Sequence, residues 1–395
     1  MAYQNQPSLL NQKLKILILG TAYPFRGGLA NYNERLARAF QALGHETEIF
    51  TFLVQYPSFL FPGKSQYSSE IPPLDIKIAQ QVNSINPLNW ISAGIKIRNK
   101  RPDILLIKYW LPFMAPCFGS IARVVKNNHH TKVITILDNV LPHEKRAGDK
   151  LLTNYYIRAS DGFIAMSQSV LKDLRNFTNV KPAVFNPHPL YDNFGEAINK
   201  EAAKNNLSLQ PTFNYLLFFG FIRRYKGLDL LLHAMANERL RKLPVKLIVA
   251  GEFYEAEKYY LDLIERLHLQ QHVILRTNFI PDNEVKNYFS AVDLVVQPYR
   301  HATQSGVTQI AYQFNKPMIV TNVGGLPELV PDGKVGYVIK PDASEISKAI
   351  IDFYEQGREQ VFSRNIIEEK SKFSWEQMVN TIQKVYSETR NSESH

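Results

Sequence analysis

With one cysteine, Cys117, in 395 residues, the chain forms no intrachain disulfide. No apolar run approaches the ~20 residues that a membrane-crossing helix needs; residues 14–19 and 103–107 are typical and far shorter. The polar start, residues 1–12, lacks the basic stretch and apolar core of a secretory leader. These absences predict a cytoplasmic protein. Histidines at metal-ligand spacing are also missing: His129 and His130 sit in a polar turn, and no Asp-x-Asp strand end occurs. The expectation is therefore no protein-bound metal and no resident cofactor.

What is present is an ordinary globular composition, 45% hydrophobic and 21% charged, which excludes a disordered or fibrous chain. The length exceeds one comfortable hydrophobic core and favours two domains. A formal charge of +10 favours anionic partners, among them nucleotides, nucleic acid or an anionic membrane face. The cations are scattered, so a solvated basic surface explains them equally well, and no basic patch interleaved with aromatics argues for nucleic acid.

Short apolar runs alternate with helical spacing along the chain. Residues 15–19 read as a strand ending at Gly20, residues 29–43 as a helix stopped by Gly44, and residues 46–52 as the next strand. Strands at 103–107, 132–137 and 162–165 alternate with helices at 114–127, 151–159 and 168–177, the last capped by Ser167. Residues 181–212 are irregular and proline-rich, which suggests a junction. The alternation then resumes through strands at 215–220, 245–251, 273–275 and 294–297 and helices at 227–238, 255–268 and 283–291. A final amphipathic helix begins near Trp375, with Ser374 as its cap. The fold class is α/β, two successive doubly wound domains at 1–185 and 186–370, followed by a helical segment at 371–395.

Open α/β sheets bind ligands beyond the carboxyl ends of their strands. Four such loops carry chemistry. Gln304, Ser305, Gly306, Val307 and Thr308 open a helix whose unpaired amides and dipole suit an anion. Gly220 leads into Arg223, Arg224, Lys226 and Gly227; a forked guanidinium and an ammonium together suit a diphosphate. Gly27 and Gly28 let a backbone approach a phosphate or sugar. Asp138, His143 and Glu144 can bind hydroxyls or move protons. Each has a plainer reading as well: a tight turn, a solvated basic loop, glycines for helix packing, or a structural histidine.

These segments, in this order, resemble the retaining glycosyltransferases of family 4. The resemblance rests on Arg26 to Ala30, Tyr225 to Leu231, Ala291 to Pro298, Lys316-Pro317 and Val323 to Glu328. It implies a GT-B fold, two Rossmann-like domains facing across a cleft, with the nucleotide sugar held mainly by the second, the acceptor by the first, and the terminal helix at 371–395 crossing back to the first. It also implies Lys226 as a diphosphate lysine, Gly27 and Gly28 under the donor phosphates, and Gly220, the residues Ser305 to Thr308 and Glu328 in the donor site. Three departures from the family pattern stand out. Ala302 and Ile310 stand where its paired glutamates belong, Phe221 stands in place of an arginine with Arg223 as substitute, and Asp138 stands where many members have histidine, with His143 five residues on. The ribose contact and the proton-handling residue stay unassigned.

The expected activity is metal-independent hexosyl transfer with retention, from a nucleotide-diphosphate sugar to a glycan or lipid-linked hydroxyl. The catalytic candidates are Arg223, Lys226, His143 and Asp138. The alternatives are an epimerase or phosphorylase on the same scaffold, or a non-enzymatic basic binding protein. Peripheral contact with an inner membrane surface is compatible with the transferase reading, residues 54–62 being an aromatic-rich loop that serves as an acceptor or membrane loop or is simply buried. Nucleic acid is not expected as a partner. Nothing in the sequence bears on oligomeric state, donor base or linkage.

Overall fold

The computed structural model describes residues 12–57, 65–68, 71–141, 147–302 and 305–391. It divides into two compact units, one of residues up to Pro187 together with Trp375 onward, the other His188–Ser374.

The first unit begins with β1 (Lys15–Leu19), α1 (Gly28–Ala42) and β2 (Glu46–Val54), then β3 (Lys77–Asn83) and α2 (Pro87–Lys100). It continues through β4 (Ile104–Tyr109), α3 (Ala115–Lys126), β5 (Lys132–Leu137), α4 (Asp149–Ala159), β6 (Gly162–Ala165), α5 (Gln168–Arg175) and β7 (Ala183–Phe185). All seven strands are parallel in the order β3-β2-β1-β4-β5-β6-β7. Every residue of β4 and β5 is buried, as expected of strands covered by helices on both faces. Ser167 caps α5 by accepting from the Val170 amide at 3.2 Å.

The second unit holds α6 (Lys200–Asn206), β8 (Asn214–Phe219), α7 (Leu228–Met235), α8 (Glu238–Arg241), β9 (Val245–Ala250), α9 (Glu257–Arg266) and β10 (Val273–Arg276). It ends with α10 (Asp282–Ala291), β11 (Leu294–Gln297), α11 (Gly306–Gln313), β12 (Met318–Thr321), α12 (Leu326–Leu329), β13 (Gly336–Ile339), α13 (Ala343–Glu355) and α14 (Glu359–Glu369). Its parallel sheet runs β10-β9-β8-β11-β12-β13. Both sheets reverse strand order beside their first strand, at β1/β4 and β8/β11, and such switch points open a crevice for a ligand. The terminal helix α15 (Trp375–Asn391) belongs to the first unit. It packs so tightly on β6 that a Cβ at Gly162 would come within 2.4 Å of Val385 Cγ1.

Two stretches differ from the sequence reading. The region 181–212 is not wholly irregular, since β7 and α6 lie in it. β7 is only three residues long, directly after Pro182, and α6 only seven, too short for a period to show. The elements β3 and α2 give no clear pattern because β3 buries only Val82 and α2 is apolar on two sides.

Candidate functional site

In the second unit the chain leaves β8 at Gly220, turns through a short 3-10 segment, Arg224–Lys226, and enters α7 after Gly227. Gly227 is required twice over. Its φ is +68°, and a Cβ there would lie 2.0 Å from the Pro298 carbonyl oxygen. The turn therefore sits directly on the end of β11. Arg300 clamps it from the same strand end, donating 2.7 and 2.8 Å hydrogen bonds to both oxygens of Asp229 and giving its own amide to the Tyr225 carbonyl at 2.7 Å.

This clamp delivers Lys226 to the switch point. A Cβ built on Gly220 would lie 3.2 Å from the Lys226 ammonium and 3.9 Å from Val307 Cγ2. Gly220, Lys226 and the first turn of α11 thus converge. The ammonium also lies 5.7 Å from the centre of the Tyr299 ring, and Tyr299 hydrogen-bonds with the Ser305 hydroxyl. Burial, reinforced by the like charge of Arg223, pushes the Lys226 pKa down to about 7. Among the described residues neither Lys226 nor Arg223 has a carboxylate partner. Arg223 is placed by aromatic contact: its guanidinium carbon lies 4.9 Å from the Tyr254 ring centre, while the Phe221 ring packs on the same ring at 4.2 Å, tilted by 32°. Two neighbouring cations with no carboxylate partner among the described residues stand beside a helix start, a combination whose charge suits an anion.

At the helix start the side chains of Ser305 and Thr308 are engaged elsewhere, so what it can offer a ligand is its backbone amides. Ser305 is the N-cap of α11 but makes no side-chain cap hydrogen bond, its hydroxyl being engaged with Tyr299. Gly306 faces Tyr191, whose Cε2 would be 2.8 Å from an added Cβ. Thr308 is fully buried and donates to Gln297 Oε1 at 3.1 Å, so its hydroxyl serves the core. The amides of Gly306, Val307 and Thr308 belong to the first turn and lack intrahelical acceptors. Ala302 and Ile310 are both buried and apolar, so these two positions offer no carboxylate to a ribose. Gln309 buries both polar atoms of its amide without a partner. Glu328 is exposed in the four-residue helix α12. Gln304 lies outside the described residues.

In the first unit Gly27, with φ +97°, is the N-cap of α1, and Gly28 is its first residue. A Cβ at Gly27 would meet nothing within 4 Å, so the loop faces open space. The neighbouring Arg26 is tied down by hydrogen bonds from its side chain to the Ser65 carbonyl and from its amide to the Gln66 carbonyl. Asp138, just past β5, is not a free carboxylate. It is buried and paired at 2.5 Å with Lys108 of β4. The Lys108 ammonium lies 3.7 Å from the Tyr32 ring centre, and Tyr32 in turn packs on Trp375 at 5.1 Å. Burial lowers the Lys108 pKa against the opposing pull of Asp138. His143 and Glu144 lie outside the described residues, as do residues 58–62 of the aromatic loop at 54–62.

Sequence reasoning missed Arg300, Asp229, Tyr254, Tyr299 and Lys108. Asp229 and Arg300 are 71 positions apart with no local signal joining them. Lys108 offered one clue, a cation inside an otherwise apolar strand, where a partner is required.

Among the described residues no group of three or more His, Cys, Asp or Glu could hold a metal ion, and no helix is long and apolar enough to cross a membrane. Known proteins complete the description. The profile of glycosyl transferases group 1 matches residues 199–387, and that of Glycosyltransferase Family 4 matches residues 26–186. An uncharacterized glycosyltransferase of Methanocaldococcus jannaschii is 23% identical over 95% of this chain and 98% of its own length. A D-inositol 3-phosphate glycosyltransferase of Segniliparus rotundus is 32% identical, over 45% of this chain and 40% of its own. Among solved structures, a sucrose-phosphate synthase from Thermosynechococcus elongatus superposes with a TM-score of 0.75 at 16% identity, covering 96% of this chain and 100% of that one. The Anabaena protein HepE, solved in complex with UDP-glucose, gives 0.69 at 17% identity with the same coverage. Matched in order through both halves and folded as two parallel α/β sheets, the chain belongs to the group 1 glycosyltransferases of the GT-B fold.

Proposed function

We propose that the second unit binds the diphosphate of a nucleotide sugar and that its hexosyl group passes, with retention, to a hydroxyl of a glycan or lipid-linked acceptor held by the first. The observation that carries this is the uncompensated pair Lys226 and Arg223 beside Gly220 and the first turn of α11. The complex of the related fold with UDP-glucose supports a nucleotide-sugar donor.

In the step itself the bond from the anomeric carbon to the diphosphate oxygen breaks and a bond to the acceptor oxygen forms on the same face. The acceptor proton passes to the leaving diphosphate. Lys226, Arg223 and the amides of Gly306 and Val307 stabilise the charge that develops there. This assignment gives the leaving-group role to protein cations and not to a metal, so a chelator is expected to leave turnover unchanged.

The test is a thermal-shift screen of nucleotide-diphosphate sugars followed by turnover with and without acceptors. A ligand that binds only the folded chain raises the midpoint. The reading expects a shift with at least one nucleotide sugar and a product anomer of the donor's configuration by NMR. Conversion of the sugar nucleotide with no acceptor present points instead to an epimerase. An inverted product contradicts retention.

A further inference from the structure

Helix α2 is apolar on two opposite faces. Inward, Ala93, Gly94 and Ile97 are buried, and a Cβ at Gly94 would approach Val124 Cβ of α3 to 2.8 Å. Outward, Leu88, Ile91 and Ile95 are 78%, 49% and 37% exposed, and Ile85 just ahead of the helix is 50% exposed. Spaced three and four positions apart, the three helical residues line up as one stripe. At ~100° per residue, Lys96 and Arg98 fall on opposite flanks of that stripe.

The charge around the stripe has one sign. Residues 87–100 contain no Asp or Glu. Lys100 is neutralised by Glu48 at 2.9 Å, but among the described residues Lys96 meets only the Gln81 amide oxygen and Arg98 has no carboxylate partner. A second copy of a chain carrying +10 would bring like charges onto this face, whereas an anionic lipid surface complements it. The position also fits. The helix starts at the carboxyl end of β3, where Ser84 binds the Val54 and Gln55 carbonyls at 2.9 and 2.7 Å, so its apolar end adjoins the ligand-bearing edge of the sheet.

We propose that the outer face of α2 docks on an anionic membrane, with Leu88, Ile91 and Ile95 at the acyl boundary and Lys96 and Arg98 reaching lipid phosphates. Joined to the transferase reading, on which this last step rests, it makes the acceptor a lipid-borne one.

The test uses the full chain and vesicles of phosphatidylcholine alone or with phosphatidylglycerol, separated by sedimentation. The chain is expected to bind the anionic vesicles, and Leu88→Ser/Ile91→Ser/Ile95→Ser to lose at least ~10-fold of that partitioning. Lys96→Glu/Arg98→Glu is expected to lose binding to the anionic vesicles as well. The control Val361→Ser/Ile367→Ser, at exposed apolar positions of the second unit, is expected to bind as the parent does. Absence of vesicle binding, or undiminished binding by the triple-serine variant, overturns the proposal. So does a shift from dimer to monomer in the triple variant by sedimentation velocity, which assigns the face to a second copy. Nucleotide-sugar binding measured on the same samples reports on the transferase reading separately, so either can fail alone.

Discussion

Arg300 grips both carboxylate oxygens of Asp229, at 2.7 and 2.8 Å, and so ties the end of β11 to the first turn of α7. Between these anchors lies the turn that presents Lys226. The pair is a positioning device: it touches no proposed substrate atom, but it fixes where the ammonium stands. Arg300→Lys keeps a charge and loses the fork. The expected result is a rise in KM for the nucleotide sugar and a fall in kcat, with little change in the thermal midpoint, because the pair is partly exposed. Steady-state kinetics beside a melting curve checks it, and unchanged kinetics contradicts the positioning role.

Lys226 is costly to the free protein. Its pKa falls from the ordinary 10.5 to about 7 on folding, so between those values the unfolded chain binds more protons and the contribution of this group to stability rises with pH. Below pH ~7 the ammonium is charged in both states and the full cost of burying it is present. Lys226→Met is therefore expected to raise the melting temperature of the ligand-free protein at pH 6 while abolishing the shift produced by a nucleoside diphosphate. A lower melting temperature together with a retained shift argues against both halves of this account.

The same group links binding to protons. A diphosphate beside Lys226 restores its charged form, so binding at pH 8 takes up a proton and affinity falls as pH rises above ~7. Calorimetry at pH 8 in two buffers of different ionisation enthalpy measures the uptake directly. Equal apparent enthalpies in the two buffers would falsify the linkage.

Asp138 and Lys108 form a buried pair, and breaking one side costs more than removing both. Asp138→Asn is expected to destabilise by ~3–5 kcal/mol, and Asp138→Asn/Lys108→Met to recover a large part of it. Denaturant unfolding of the two variants decides. If Asp138→Asn is as stable as the parent, the pair is not what holds this strand end.

How much of this could be seen in the sequence follows from where each signal is stored. The strand at 294–297 and the helix opening at Gly306 were readable because burial on both faces and a small residue at a helix start are local properties. Lys226 was readable because glycines frame it. The Arg300–Asp229 clamp and the Tyr254 shelf under Arg223 were not, because they arise only when β8, β9 and β11 lie side by side. Asp138 read as a residue able to bind hydroxyls or move protons because its partner comes from the neighbouring strand, 30 positions earlier. Helix α2 left no single-stripe signature for the reason that makes it interesting, an apolar outer face opposite an apolar inner one.

The central claim is that Lys226 holds a diphosphate. Isothermal titration of the chain and of Lys226→Ala with uridine and adenosine diphosphates at pH 6.5, in low salt, tests it most directly. The account predicts binding to the parent by at least one of them and a loss of ~10²-fold or more in the variant, the scale of one preorganised charge contact. Equal affinity in parent and variant would contradict it.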